Sequence, residues 1–224
     1  MELNIKFKMN EKLFLRDPQD SVLGRKILSH GLLLINKLGF EQFTFKKLAE
    51  SIETTEAGIY RYFENKHRLL IYYVSWYWSY TEYKISFMLN NIHDPKKKIK
   101  TIIQILVMPP QMGQAEGDGI TEFDAYQLVR WEGSKSYLNR NVMDYNKSRL
   151  YKPYKDLCVV IAEILLEYNP KYKHSHSLAS TLLEMSHAQM FFMENLPTLS
   201  DSTKVDPAKL IAFLEHLVFS VLDN

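Results

Sequence analysis

The chain holds a single cysteine, eight glycines and eight prolines among its 224 residues. Cys158 alone cannot close an intramolecular disulfide, and its run LCVVIAEILL predicts a small buried thiol in a reducing compartment. Few glycines and prolines, beside abundant Leu, Ile, Lys, Glu and aromatic residues, leave little to interrupt helices, so an all-helical chain is expected. Strand-type alternation is confined to LNIKFKM, residues 3–9. No uninterrupted apolar stretch of about 18 residues occurs, which excludes a membrane-spanning helix. No basic segment leading into an apolar one opens the chain, and the expected location is the cytoplasm. A strong charge of one sign is missing as well: a net +2 does not by itself imply a polyanionic partner. Its distribution is more informative. Residues 1–70 hold twelve Lys/Arg against nine Asp/Glu, leaving sixteen against seventeen for the rest, so any basic face lies in the first third. Catalytic signatures are also absent. There is no G-x-S-x-G, G-x-x-x-x-G-K-[ST] or H-E-x-x-H, and no nucleophile–base pair suggests an enzyme. His174, His176, His187 and His216 read as solvated or hydrogen-bonded rather than metal-binding, and Glu163 and Glu167 as a wet helix face.

What is present is helical periodicity with capping signals, and a 46% apolar content that can supply a core. Val22, Leu23, Ile27, Leu28, Leu32, Ile35 and Leu38 recur at helical spacing between Asp20 or Ser21 as N-cap and Gly39 as C-cap. Thr44 opens a short second helix, FKKLAESI, with Phe45, Leu48, Ala49 and Ile52 inward. Thr54 or Thr55 caps a third helix that ends near Tyr62. A helix, a tight connection and a short helix within about 20 residues have the dimensions of a helix-turn-helix. From Lys66 a longer helix, HRLLIYYVSWYWSYTEYKISFML, is apolar on several faces and joins the front domain to the rest of the chain. Asp94-Pro95 opens a helix stopped by Pro109-Pro110, and QMGQAEGDG, residues 111–119, has the composition of a mobile loop. Helices are expected near 121–132, from about 137 to 168 with a bend or split at Pro153, at 175–195 and at 207–222.

In a helix-turn-helix the second helix enters the major groove while the first braces it across the backbone. Ile59 and Phe63, four residues apart, point inward against Leu48, Phe45 and Ile27. That leaves Thr55, Glu56, Gly58, Tyr60 and Tyr62 toward solvent or DNA. Thr44 and Lys66 lie at helix starts, where backbone N–H groups also favour phosphate. Hydroxyls there, Thr54 and Thr55 included, fix register, and Thr55, Glu56 and Arg61 are candidates for base edges. Lys6, Lys8, Lys12, Arg16, Arg25 and Lys26 read equally as a solvated arm and helix face or as phosphate contacts.

The run TFKKLAESIETTEAGIYRYFENKHRLL resembles the DNA-binding helices of the tetracycline-repressor (TetR) family of bacterial regulators. Thr44, Leu48, Ala49, Ile59, Tyr60, Phe63 and Lys66 match in type and spacing, and with Gly39-Phe40 the resemblance spans about residues 21–70. Two positions depart from it. Glu53 stands where a turn glycine is common, and Glu56 where a lysine is frequent.

The resemblance implies an all-α chain: a three-helix helix-turn-helix domain over residues 1–66, with an arm at 1–20, and a larger effector-binding and dimerisation domain over 67–224. Its partners would be operator DNA, a second copy of the chain and an unknown small hydrophobic or aromatic effector, with no cofactor and no membrane. Trp76, Tyr77, Tyr80, Tyr83, Met108, Trp131, Met190 and Phe191 are the residues expected to line the effector cavity. Leu178, Leu182, Met185, Gln189, Phe213, Leu217 and Val221, on the last two helices, are expected to build a four-helix dimer interface. Effector binding would tilt the long fourth helix and change the separation of the two recognition helices. The alternative is a module of the same fold that binds small molecules or proteins and has lost sequence-specific DNA recognition.

Overall fold

The computed structural model describes residues 6–111, 119–202 and 204–223, and every regular element among them is helical. The first three helices start and stop where short-range chemistry directs. Helix α1, Val22–Leu38, begins at Ser21, whose hydroxyl accepts the Gly24 N–H at 3.0 Å. It ends at Gly39, which adopts a φ of +77° and returns its N–H to Ile35 O. Helix α2, Phe45–Ser51, is capped by Thr44 through the Lys47 N–H, and α3, Glu56–Tyr60, by Thr55 through the Gly58 N–H. Next come α4, Lys66–Leu89; α5, Pro95–Val107, with Asp94 as its N-cap; and α6, Glu122–Glu132, capped by Thr121. The last four are α7, Val142–Lys147; α8, Lys152–Tyr168; α9, Ser175–Asn195; and α10, Pro207–Leu222. No helix of the described residues is long and apolar enough to cross a membrane.

The alternating segment near the N-terminus forms no strand at its described residues 6–9, as an all-helical chain requires. Two expectations are corrected. The helix expected from about 137 breaks at residues 148–151, ahead of Pro153, with Arg149 at φ +58°. Pro153 then sits in the first turn of α8, where a missing N–H costs nothing. Cys158 is half-buried rather than enclosed, its thiol directed at His176 O. The expected loop at 111–119 lies outside the described residues except at its two ends.

Contacts divide the chain into two compact units. The first runs through Trp78 and takes in Pro110–Pro153; the second is built from Ser79–Pro109 and the chain from Tyr154 onward. In the first unit, Ile27, Leu32, Ile35, Phe43, Leu48, Ile59 and Phe63 close the small three-helix core. The buried front half of α4 packs beneath it. The Tyr73 hydroxyl of α4 donates to the Ile27 and Leu28 carbonyls of α1, at 3.2 and 2.8 Å. Gly31 permits that approach, since a Cβ there would lie 2.5 Å from the tyrosine oxygen. The segment before α1 is tied down, not free: Met9 and Leu13 are buried, Phe7 meets Trp76 edge-on, and Asn10 donates to Ser148 O and Arg149 O. In the second unit, α5, α9 and α10 pack on one another through Ile99, Ile102, Leu106, Leu182, Leu214 and Val218.

Candidate nucleic-acid interface

Helices α2 and α3 pack together and present a continuous outer surface. Thr44, Thr55, Glu56, Tyr60 and Arg61 are exposed, and Thr54 and Gly58 half-exposed, as alternation around the short helix requires. Tyr60 is 48% exposed, and its ring is braced edge-on by Phe45 at 5.1 Å. The sequence pattern undervalued Lys46 and Lys47. Both are exposed on α2, between the inward Phe45 and Leu48, and Lys47 reaches back to Gln42 O at 2.8 Å. A charge pair in a helix reads as an ordinary wet face, and only the pairing of α2 with α3 puts these lysines beside the recognition surface.

Two expected contact residues belong elsewhere. Tyr62 is 3% exposed: its hydroxyl shares a hydrogen bond with Ser21 at 2.8 Å, and the Arg16 guanidinium covers its ring. The residue lies past the end of α3, so the helical alternation that turned it outward no longer applies. Lys66 is an internal tie. Its ammonium donates to the Phe40, Glu41 and Phe43 carbonyls at 2.9, 3.1 and 3.2 Å and lies over the Phe40 ring. Among the arm and helix cations, Lys6 pairs with Asp20 and Arg25 donates to Gln19 O. Lys8, Lys12 and Lys26 are exposed.

The turn between α2 and α3 keeps a glycine-like shape without glycine. Glu53 adopts a φ of +53°, a left-handed conformation that costs a residue with a Cβ about 1 kcal/mol or more. Glu53→Gly should therefore raise stability by roughly 0.5–1 kcal/mol after the greater unfolded-state freedom of glycine is subtracted. Urea denaturation checks this, and Glu53→Val should move the midpoint the other way. Glu56 has a local reason to be acidic, standing in the first turn of α3 where the helix dipole favours negative charge.

Behind the surface, the turn from Gly39 to Phe43 gathers several polar contacts. Phe40 N–H donates to Glu132 Oε1 at 2.9 Å. Lys135 lies 2.7 Å from the other Glu132 oxygen and 3.4 Å from Glu41. Burial works against the Lys135 ammonium, but its contacts with Glu132 and Glu41 outweigh that and hold its pKa above the ordinary value. His67 meets Phe40 edge-on at 4.9 Å. Burial pulls its imidazole below the usual range, with help from Lys66 and against the pull of Glu41. The folded chain thus holds a His67 proton less readily than the unfolded one, which takes it up as pH falls through about 6.5. Stability should be intact above that pH and decline below it, with a shallower decline in His67→Gln, as thermal melts between about pH 5.5 and 7.5 would register.

The residues expected to line an effector cavity are divided between the units. Trp76, Tyr77 and Trp131 belong to the first; Tyr80, Tyr83, Met108, Met190 and Phe191 to the second. Trp76, Tyr77 and Met190 are buried, and Tyr80 and Phe191 half-buried. Tyr83, Met108 and Trp131 are exposed instead: Tyr83 stacks with Phe87 on the outer side of α4, and Met108 is the C-cap of α5. Trp131, 53% exposed near the end of α6, lines an open groove of about 510 Å³ with Ile35, Leu38 and Phe123.

Residues 27–73 match the family described as bacterial regulatory proteins, tetR family. This stretch resembles the family's N-terminal domain. The match begins within α1 and ends within α4, so it includes the turn at Gly39, both short helices and the Lys66 tie. No curated protein matches the chain. Among solved structures, AibR in complex with isovaleryl coenzyme A and operator DNA is similar with a TM-score of 0.60 at 13% identity, over 87% of this chain and 98% of that one. The fatty acid degradation regulator FadR from Bacillus halodurans gives 0.58 at 18%, over 86% and 96%. The superantigen PfiT gives 0.59 at 15%, over 92% and 98%. At these identities the likenesses establish a shared all-helical fold.

Proposed function

We propose that the protein is a one-component transcriptional regulator that binds operator DNA through α2 and α3, with an affinity set by a small-molecule effector. The observation that carries this reading is the outward surface of the TetR-family domain: Thr44, Lys46, Lys47, Thr55, Tyr60 and Arg61 share the exposed side of a helix pair whose inner side is fully packed. Hydroxyls and lysines fix register on phosphates, and the first residues of α3 meet base edges. The AibR complex, which contains both isovaleryl coenzyme A and operator DNA on a similar fold, supports control by an effector.

The working unit is a homodimer. Phe213, Leu217 and Val221 recur every four residues along α10 and are exposed or half-buried, and Met185 and Gln189 of α9 are half-buried. Leu178 and Leu182, also expected at that interface, are buried within the chain's own second unit and are assigned to its core. Two-fold symmetry would place the paired α3 helices about one DNA turn apart.

A mobility-shift titration of the purified protein on DNA from upstream of its own gene tests the reading. Salt-dependent, saturable binding is expected. No binding even at low salt would leave the second reading, a same-fold module for small molecules or proteins. Glu53 and Glu56 on the recognition surface, and the likeness to the superantigen PfiT, favour that alternative.

A further inference from the structure

The turn that leads from α1 into the DNA-contacting helices is gripped from two sides. Lys66, at the start of α4, takes three of its carbonyls. Glu132, the last residue of α6 and 92 positions away in sequence, takes the Phe40 N–H. Glu132 is 7% exposed, and a buried carboxylate costs several kcal/mol unless hydrogen-bonded and paired. Nothing in α6 itself calls for it, because a negative charge at a helix C-terminus opposes the helix dipole. Its partners are the Phe40 N–H of the turn on one oxygen and, on the other, Lys135, three residues further on, which itself reaches on to Glu41 in the turn. Gly39 completes the fit, since its left-handed backbone brings the turn within 3.4 Å of Glu132 Oε1, measured from the Cβ position a larger residue would occupy.

We infer that Glu132 is a positioning residue for DNA binding: its carboxylate fixes the turn at Gly39–Phe43, and through it the presentation of α2 and α3, so that a shift of α6 reaches the recognition surface directly. The inference rests on the regulator reading. The linkage is short and stiff. Phe43 N–H bonds back to Gly39 O, Phe43 is fully buried, and Thr44 immediately caps α2. A displaced Glu132 therefore moves the start of α2 rather than a slack loop. The same carboxylate forms part of the wall of the groove between α1 and α6, where Asn36 also donates to Asp124 O.

The test compares full-length wild type, Glu132→Ala, Glu132→Gln and Lys135→Met. Binding to labelled upstream DNA is measured by fluorescence anisotropy at several salt concentrations, alongside thermal melts and amide hydrogen exchange. Glu132→Ala should weaken DNA binding at least tenfold with an unchanged salt slope, because no phosphate contact is removed. Exchange should quicken in peptides covering residues 39–43 while peptides from α9 and α10 keep wild-type protection. Glu132→Gln, which retains an oxygen for Phe40 N–H, should recover most of the affinity, and Lys135→Met should fall between. If Glu132→Ala is too unstable to assay, Glu132→Gln against Lys135→Met decides, with weaker binding expected for the lysine variant. Wild-type affinity in Glu132→Ala would overturn the inference alone. So would a loss that tracks only the fraction unfolded, or exchange quickened equally throughout the chain. Wild type that binds no DNA would remove the regulator reading and this inference with it.

Discussion

Lys66→Ala lowers the unfolding free energy by about 2–3 kcal/mol. The ammonium donates to three carbonyls of one turn and rests 4.7 Å from the Phe40 ring centroid. Charge-assisted hydrogen bonds contribute roughly 1.5–3 kcal/mol net, and a cation over an aromatic face about 0.5–1 kcal/mol at a partly exposed site. Urea denaturation gives the number, and Lys66→Met should lose nearly as much, since the loss comes from the bonds and not from the stem. A midpoint within error of wild type in both variants would show that the turn is held without the lysine. The consequence for functional work is direct. Lys66 matches the family pattern, which recommends it as a phosphate contact, but its donors are all engaged inside the domain. A DNA-binding defect in Lys66→Ala would report a loosened turn, so a surface cation is needed to test the interface.

Lys46→Ala combined with Lys47→Ala weakens DNA binding by roughly fivefold to tenfold for each lysine at moderate salt, and lowers the magnitude of the salt slope by about two. Both side chains are exposed on α2, and the Lys47 ammonium donates to the Gln42 carbonyl of a surface turn, so the double variant should melt close to wild type. Retained stability with a reduced slope distinguishes lost phosphate contacts from a damaged fold. Unchanged affinity and slope would place the DNA on another face. The residues for this experiment come from the packing of α2 against α3 and not from the motif, in which the two lysines are ordinary.

The chain's helical class, nearly all helix limits and the helix-turn-helix were legible because they obey short-range rules. Ser21, Thr44, Thr55, Asp94 and Asp206 satisfy the first free N–H groups of their helices, and Gly39 closes α1 at a backbone angle that suits glycine. The inward positions of Phe45, Leu48, Ile59 and Phe63 come from helical spacing alone. The alternation fails just beyond a helix end, which is why Tyr62 turns inward to Ser21 instead of outward.

Effector lining and dimer contacts were less legible. An aromatic or leucine at helical spacing carries the same pattern whether it meets a cavity, a core or a partner; Leu182 is core, while Phe213 on a similar stripe is exposed. Polar ties over long sequence distances leave no local trace at all. The sequence by itself determined a helical chain with a helix-turn-helix in its first third, through caps and spacing within a few residues. Only the tertiary structure decided that Lys66 is a tie, that Lys46 and Lys47 join the outer surface, and that Glu132 grips Phe40, because a hydrogen bond depends on where two atoms meet in space and not on how far apart they lie in the chain.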